Sequence, residues 1–248
     1  MAPLALVTAF ALLWVPFGQH AFLIPHWMKV GVFMAPFFLL TAAACRRPED
    51  GPWLRDLRTL TALMLACYIL HQAEEHWVDL TGETYAFHGY VNAVLQGAVG
   101  APDTQEILTR EAIFVINTSL VWFVGALGIL LSPPRVFPAL CMAAIILVNA
   151  VSHIGAAIGS GVYNPGLATS FVPFIPLALW TFSVAWTHGG GGPVLASVIW
   201  AVFAHIVMIG GVLGAMWAEL YPESAYFAML IATAALPALL YRRSIIPH

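Results

Sequence analysis

His71 is followed three and four residues later by Glu74 and Glu75, and then by His76 and Asp79, at the end of an otherwise apolar run, LRTLTALMLACYILHQAEEHWVDL. On a helix turning about 100° per residue, Glu74 falls about 60° to one side of His71 and Glu75 about 40° to the other. One face thus carries an imidazole and two carboxylates, Asp79 continues the Glu75 line by one turn, and His76 points away. Neighbouring carboxylates repel, and burial disfavours their charge unless a cation or a shared proton relieves it. Ionisable groups inside a membrane span are functional candidates by default. The plainer alternative is a helix end emerging into water, where such charges cost little.

A second stripe lies in VNAVSHIGAAIGSGVYNPG, where Asn149 and His153 are four apart with Ser152 beside them. His205 is the one central ionisable group of SVIWAVFAHIVMIGGVLG. Each has a structural alternative: Asn149 and His153 as interhelical hydrogen bonders, His205 as a satisfied core histidine, and Asn117 as a packing amide. Tyr163-Asn164-Pro165-Gly166 is a turn by its chemistry, and that reading suffices for it. Together the groups complete a first shell for a divalent metal, zinc first, with iron or manganese as alternatives. The expected ligands are His71, Glu75, His153 and His205, with Glu74 as the proton-moving base and Asn149 on the catalytic side. Helical phase alone also allows the two glutamates to exchange roles. The spacing is not that of a soluble zinc motif, since H-E-x-x-H is absent and His71 and His76 are five apart.

The elements that must position these groups follow from composition. Of 248 residues 61% are hydrophobic and 8% charged, and mean hydropathy is +0.87. A soluble domain carries roughly 25% charged residues, so the chain is expected to be an all-α integral membrane protein. A polytopic bundle of about eight (seven or eight) transmembrane helices forms one transmembrane domain over 1–248. The runs are roughly 2–24, 28–45, 58–79, 110–131, 135–159, 166–187, 193–216 and 224–241, each near the ~20 residues a bilayer requires. The first is interrupted by Pro16, Gln19 and His20 and jointed at Ile24-Pro25-His26; lacking a basic start, it reads as a retained span. Long continuous apolar runs exclude a β-barrel.

Placing both termini in the cytoplasm puts Arg46, Arg47, Arg55, Arg58, Arg135, Arg242 and Arg243 inside and Lys29 and Arg110 outside, seven plus two of the nine basic residues. The His/Glu groups then lie at or beyond the midplane, on the outer side. In the outer connection 80–109, Phe87, Tyr90, Val91, Val94, Leu95 and Ala98 recur at helical spacing, as a surface helix over the outer mouth or as a greasy connector. With 9 basic against 12 acidic residues and no basic run, nucleic-acid binding has no support. Cys45, Cys67 and Cys141 read as small hydrophobes.

The string His71-Gln72-Ala73-Glu74-Glu75, late in a membrane helix, resembles the signature of the bacterial membrane proteins named for their HXXEE motif. The resemblance extends to the Asn149/His153 segment and its Tyr-Asn-Pro-Gly turn. It implies a multi-span protein of the bacterial inner membrane carrying His71, Glu74 and Glu75 as its motif, and it implies no particular reaction. The chemistry favours a metal-dependent membrane enzyme, most simply a hydrolase using a metal-activated water on a lipid-like or apolar small molecule from the outer leaflet. The bilayer and that molecule are the expected partners. The alternatives are iron-dependent oxygen chemistry, a metal-independent acid/base isomerase or cyclase, a proton- or cation-coupled transporter, and a non-catalytic assembly or sensor subunit. A transporter would be expected to carry polar residues through the full membrane depth and repeated halves. The inner halves of these spans are almost wholly apolar.

Overall fold

The computed structural model describes residues 20–47, 50–132 and 136–240. These form eight helices: α1 (His20–Ala44), α2 (Leu57–His76), α3 (Ala86–Val99), α4 (Arg110–Leu131), α5 (Phe137–Ser160), α6 (Leu167–Thr187), α7 (Gly191–Trp217) and α8 (Glu223–Leu240). Among the described residues the only β pairing is an isolated bridge between Val78 and Thr84. All but α2 and α3, six helices, are long and apolar enough to cross a membrane. The protein is a helical membrane bundle.

Most of the expected first span lies outside the described residues. The joint expected at Ile24-Pro25-His26 is not one, because α1 runs unbroken through both Pro25 and Pro36. Proline removes one backbone donor, and a membrane helix tolerates this where its neighbours satisfy the freed carbonyl.

α2 is long enough to span but too polar to count among the six, and it forms the hub of the bundle, packed against α1, α4, α5 and α6. Its Leu60, Ala62, Met64, Leu65 and Ile69 are at most 1% exposed. Asp56 caps its start, accepting from the backbone of Arg58 and Thr59. At that same end the buried Arg58 guanidinium donates to the carbonyls of Cys45, Ile129 and Ser132. A cation is favourable there, because the last carbonyls of α1 and α4 have no partner within their own helices.

The connection over the other end of α2 contains α3, the helix that the Phe87/Val91/Val94 spacing predicts. Among the described residues three π-helical turns interrupt the spans, at Asn117–Phe123 in α4, Ser170–Phe174 in α6 and Leu213–Trp217 in α7. Such turns expose backbone and re-aim side chains, and they concentrate near functional sites.

Candidate metal centre

His71 and Glu75 share one face of α2 at the four-residue spacing, and α5 brings His153 against them. One ligand atom from each residue lies within 4.8 Å of the others, and all three residues are buried. His153 Nε2 is 3.1 Å and His71 Nε2 3.4 Å from the same oxygen, Glu75 Oε1. Donors held at ~2.0–2.1 Å from a tetrahedral zinc stand ~3.3 Å apart, so these two separations suit a shared ion.

The neighbours fix which nitrogen of each ring faces the trio. His71 Nδ1 is 2.8 Å from Thr169 Oγ1, and that hydroxyl donates to Glu74 Oε2. A hydroxyl has one proton, so Thr169 accepts from His71 Nδ1–H and leaves a lone pair on Nε2. Among the described residues His71 Nε2 is buried without a hydrogen-bond partner. His153 repeats the device. Its Nδ1 is 2.7 Å from Asn164 Oδ1, while the Asn164 amide donates to the His153 carbonyl at 3.0 Å. The amide is thereby oriented, His153 Nδ1 carries the proton, and its Nε2 also presents a lone pair. With both rings neutral, the two Nε2 lone pairs and the Glu75 oxygen converge as three acceptors.

Glu74 has a different task from the one expected of it. Its carboxylate accepts from Tyr163 Oη at 2.9 Å, Ala168 N at 3.1 Å and Thr169 N at 3.0 Å, besides the Thr169 hydroxyl. The first turn of α6 has no side-chain cap of its own, because Gly166 precedes it. Glu74 supplies the cap from α2, where a carboxylate is favoured by the exposed N–H groups. With both oxygens occupied it positions the turn and, through Thr169, the ring of His71. It is not the free base that helical phase predicts. Burial and the adjacent Glu74 push the Tyr163 hydroxyl above its ordinary pKa, although the Leu80 N–H bonded to it acts the other way, so Tyr163 remains a donor.

Gly166 explains why the cap has to come from elsewhere. Its φ is +92°, and an added Cβ would stand 2.6 Å from His71 Cε1, 2.9 Å from His153 Cε1 and 3.0 Å from Glu75 Cγ. The Tyr-Asn-Pro-Gly turn is therefore the roof of the trio, and the reading of it as an inert turn is corrected. Asn164, Gly166 and Thr169 are site residues that the sequence reading missed. The signals available were a glycine turn directly after a histidine-bearing helix and the resemblance that extends to that turn; nothing in the periodicity of α6 marks Thr169.

The remaining candidates are distributed around the trio. His76 does not point away: its Nε2 lies 3.4 Å from Glu75 Oε2, buried and without a hydrogen-bond partner among the described residues. His205 lines the adjoining cavity from α7 and is not part of the trio. Asn149 lines the cavity too, with Oδ1 buried and unpartnered among the described residues. Asn117 is taken up by Gln72, whose amide donates to its Oδ1 at 2.8 Å while Trp122 Nε1 donates to Gln72 Oε1. Asp79 lies past the end of α2 and closes a tight loop, accepting from Thr81 Oγ1, Thr81 N and Glu83 N. Burial raises its pKa, but these hydrogen bonds outweigh that and hold it below the usual carboxylate value.

A cavity of about 300 Å³ opens on Glu75 and His153. Phe87, Tyr90, Val91, Val94 and Leu95 of α3 wall it on one side, and Met208, Ile209 and Val212 of α7 on another. Phe87 packs edge-on against His76, ring centroids 4.9 Å apart, so α3 also shields the trio from water. An apolar chamber ending in a few convergent polar groups is the usual form of a small-molecule site.

Glu74→Gln tests the positioning role. An amide would turn donors toward donors already in place at the start of α6, costing about 1–3 kcal/mol of stability. Metal affinity should fall about 10–100-fold, the usual effect of losing a group that orients a ligand. Thermal unfolding and metal titration of the variant measure both; unchanged metal affinity would contradict the relay through Thr169.

Residues 62–181 match the model of a family described as "Protein of unknown function with HXXEE motif". No curated protein and no solved structure matches the chain. The matched stretch spans the whole of the trio, its roof and the helix that caps it, from α2 through most of α6. Over residues 62–181, just under half of the chain, this protein is similar to the HXXEE-motif family.

Proposed function

We propose that the chain is a membrane-embedded metalloenzyme in which His71, Glu75 and His153 hold a divalent ion, zinc first and iron or manganese as alternatives. The reaction favoured is hydrolysis of a lipid-like or apolar molecule that enters the cavity from the outer side. One observation carries the reading: two imidazole Nε2 atoms, each ring anchored through Nδ1 by Thr169 or Asn164, converge on one carboxylate oxygen. A single proton would satisfy His153 and leave His71 Nε2 unpartnered. Two protons would place two imidazolium ions against one carboxylate in an apolar interior, which is costly. A divalent cation satisfies all three atoms at once.

A bound ion would supply Lewis acidity and bring the pKa of a coordinated water to about 7. The chain's own residues do the rest. Thr169 and Asn164 hold the two rings, Gly166 lets the roof approach, and α3 excludes water. His76, beside Glu75 Oε2, is the group placed to accept a proton. The metal-independent and transporter readings use the same groups and are separated by experiment. Vesicles containing the purified protein and a total membrane lipid extract should convert one lipid class, followed by mass spectrometry. Conversion should stop on chelation, return with zinc, and be absent in Glu75→Gln. Conversion indifferent to chelation would replace the metal reading by acid/base catalysis; ion flux without conversion would replace it by transport.

The outer placement of the site rests on the seven-to-two distribution of basic residues. In a variant lacking the native cysteines, a cysteine at His88 should react with an impermeant maleimide from outside only. Reaction from the cytoplasmic side alone would invert the topology and the direction of substrate entry.

A further inference from the structure

Besides the trio, the cavity has further polar groups on α5 and α7. His205 Nδ1 lies 2.8 Å from the Ala201 carbonyl. A carbonyl oxygen only accepts, so Nδ1 carries the proton and the neutral ring presents a lone pair on Nε2. Ser152 spends its one proton on the Val148 carbonyl at 3.0 Å, leaving its oxygen as an acceptor. Asn149 Oδ1 is buried and unpartnered among the described residues. All three residues line the same chamber, between aliphatic side chains of α3 and α7. Among the described residues no Lys or Arg lines it, so none of them complements an anionic headgroup there.

From these acceptors we infer that the ligand is a neutral amphiphile bearing a free hydroxyl, whose O–H donates to the His205/Asn149 pole while its chain lies along Val94, Leu95 and Met208. Asn149 Oδ1 is a buried acceptor left unpaired among the described residues, which costs about 1–3 kcal/mol, so the site selects for a donor. A carboxylate or phosphate would bring only acceptor oxygens and a charge to this pole. His205 is thus a specificity residue, which accounts for an imidazole on the cavity wall outside the trio. The inference deepens the proposed function and rests on it only for which end of the ligand reacts.

The test uses the whole protein in nanodiscs, photolabelled with a long-chain alcohol carrying a diazirine in its chain. Labelled peptides are mapped by mass spectrometry, with unlabelled alcohol and its methyl ether as competitors. Labelling should fall on the peptides of α3 and α7 that line the cavity. The alcohol should compete about tenfold better than the ether, the worth of roughly one buried hydrogen bond. The preference should vanish in His205→Phe and Asn149→Leu and persist in part in His205→Gln, which retains an acceptor. Glu75→Gln should keep the preference, so failure of the metal reading leaves this result intact. Equal competition in the wild type, or a full preference in both His205→Phe and Asn149→Leu, would overturn the inference. So would better competition by the corresponding fatty acid.

Discussion

Gly166→Ala should abolish the metal binding proposed above, whereas Gly161→Ala should retain it. Both glycines have positive φ, +92° and +71°, so alanine at either position carries the left-handed strain of about 1–2 kcal/mol. Only Gly166 has the trio against it, with His71 Cε1 at 2.6 Å from an added Cβ; nothing stands within 4 Å at Gly161. His71 is fixed by Thr169 and His153 by Asn164, so neither ring can retreat without breaking its own hydrogen bond. Overpacking adds about 1–3 kcal/mol, and the separations that suit an ion are lost. Metal affinity should drop by more than about a hundredfold, beyond the usual effect of an orienting residue. Equal metal content in the two variants would show that the roof does not hold the centre together.

The ligand series should be graded in the same way. Glu75→Gln keeps the shape of the side chain and removes the only negative charge among the three donors, and His71→Ala removes a donor outright. Each should weaken metal binding by more than about a hundredfold and abolish conversion. Thr169→Val, which cuts the relay to Glu74, should cost about 10–100-fold. His205→Phe should leave metal content at the wild-type level, since His205 is not part of the trio. Equilibrium titration against a zinc buffer measures all four. If His205→Phe loses the ion as completely as His71→Ala, the centre has a ligand from α7 and its geometry has to be redrawn.

The fold was largely legible because apolar runs of span length leave a chain little choice in a bilayer. The helix α3 was legible in the spacing of Phe87, Val91 and Val94. Pro25 misleads, because a proline need not end a helix inside a membrane bundle, and α1 runs through it. The pairing of His71 with Glu75 follows from helical phase alone, and His153 stands out as an imidazole in a span. Glu74 shows where such reasoning stops. Phase gives the side of α2 on which it lies, but not that α6 begins there with its N–H groups uncapped. Thr169 and Asn164 act across 98 and 11 residues respectively, and contacts of that kind are set by packing, not by period. His205 reads from sequence as a lone buried imidazole, and only its bond to Ala201 tells which nitrogen faces the cavity.

The central claim is that His71, Glu75 and His153 form a metal site, and metal analysis of the wild-type protein tests it most directly. The protein would be purified without chelator, quantified by inductively coupled plasma mass spectrometry and examined by X-ray absorption at the edge of the metal found. The account predicts about one equivalent of a divalent metal per chain, with two imidazole nitrogens and one carboxylate oxygen in its first shell. A protein that folds, carries no stoichiometric metal and takes up none from zinc, iron(II) or manganese(II) buffers would contradict it.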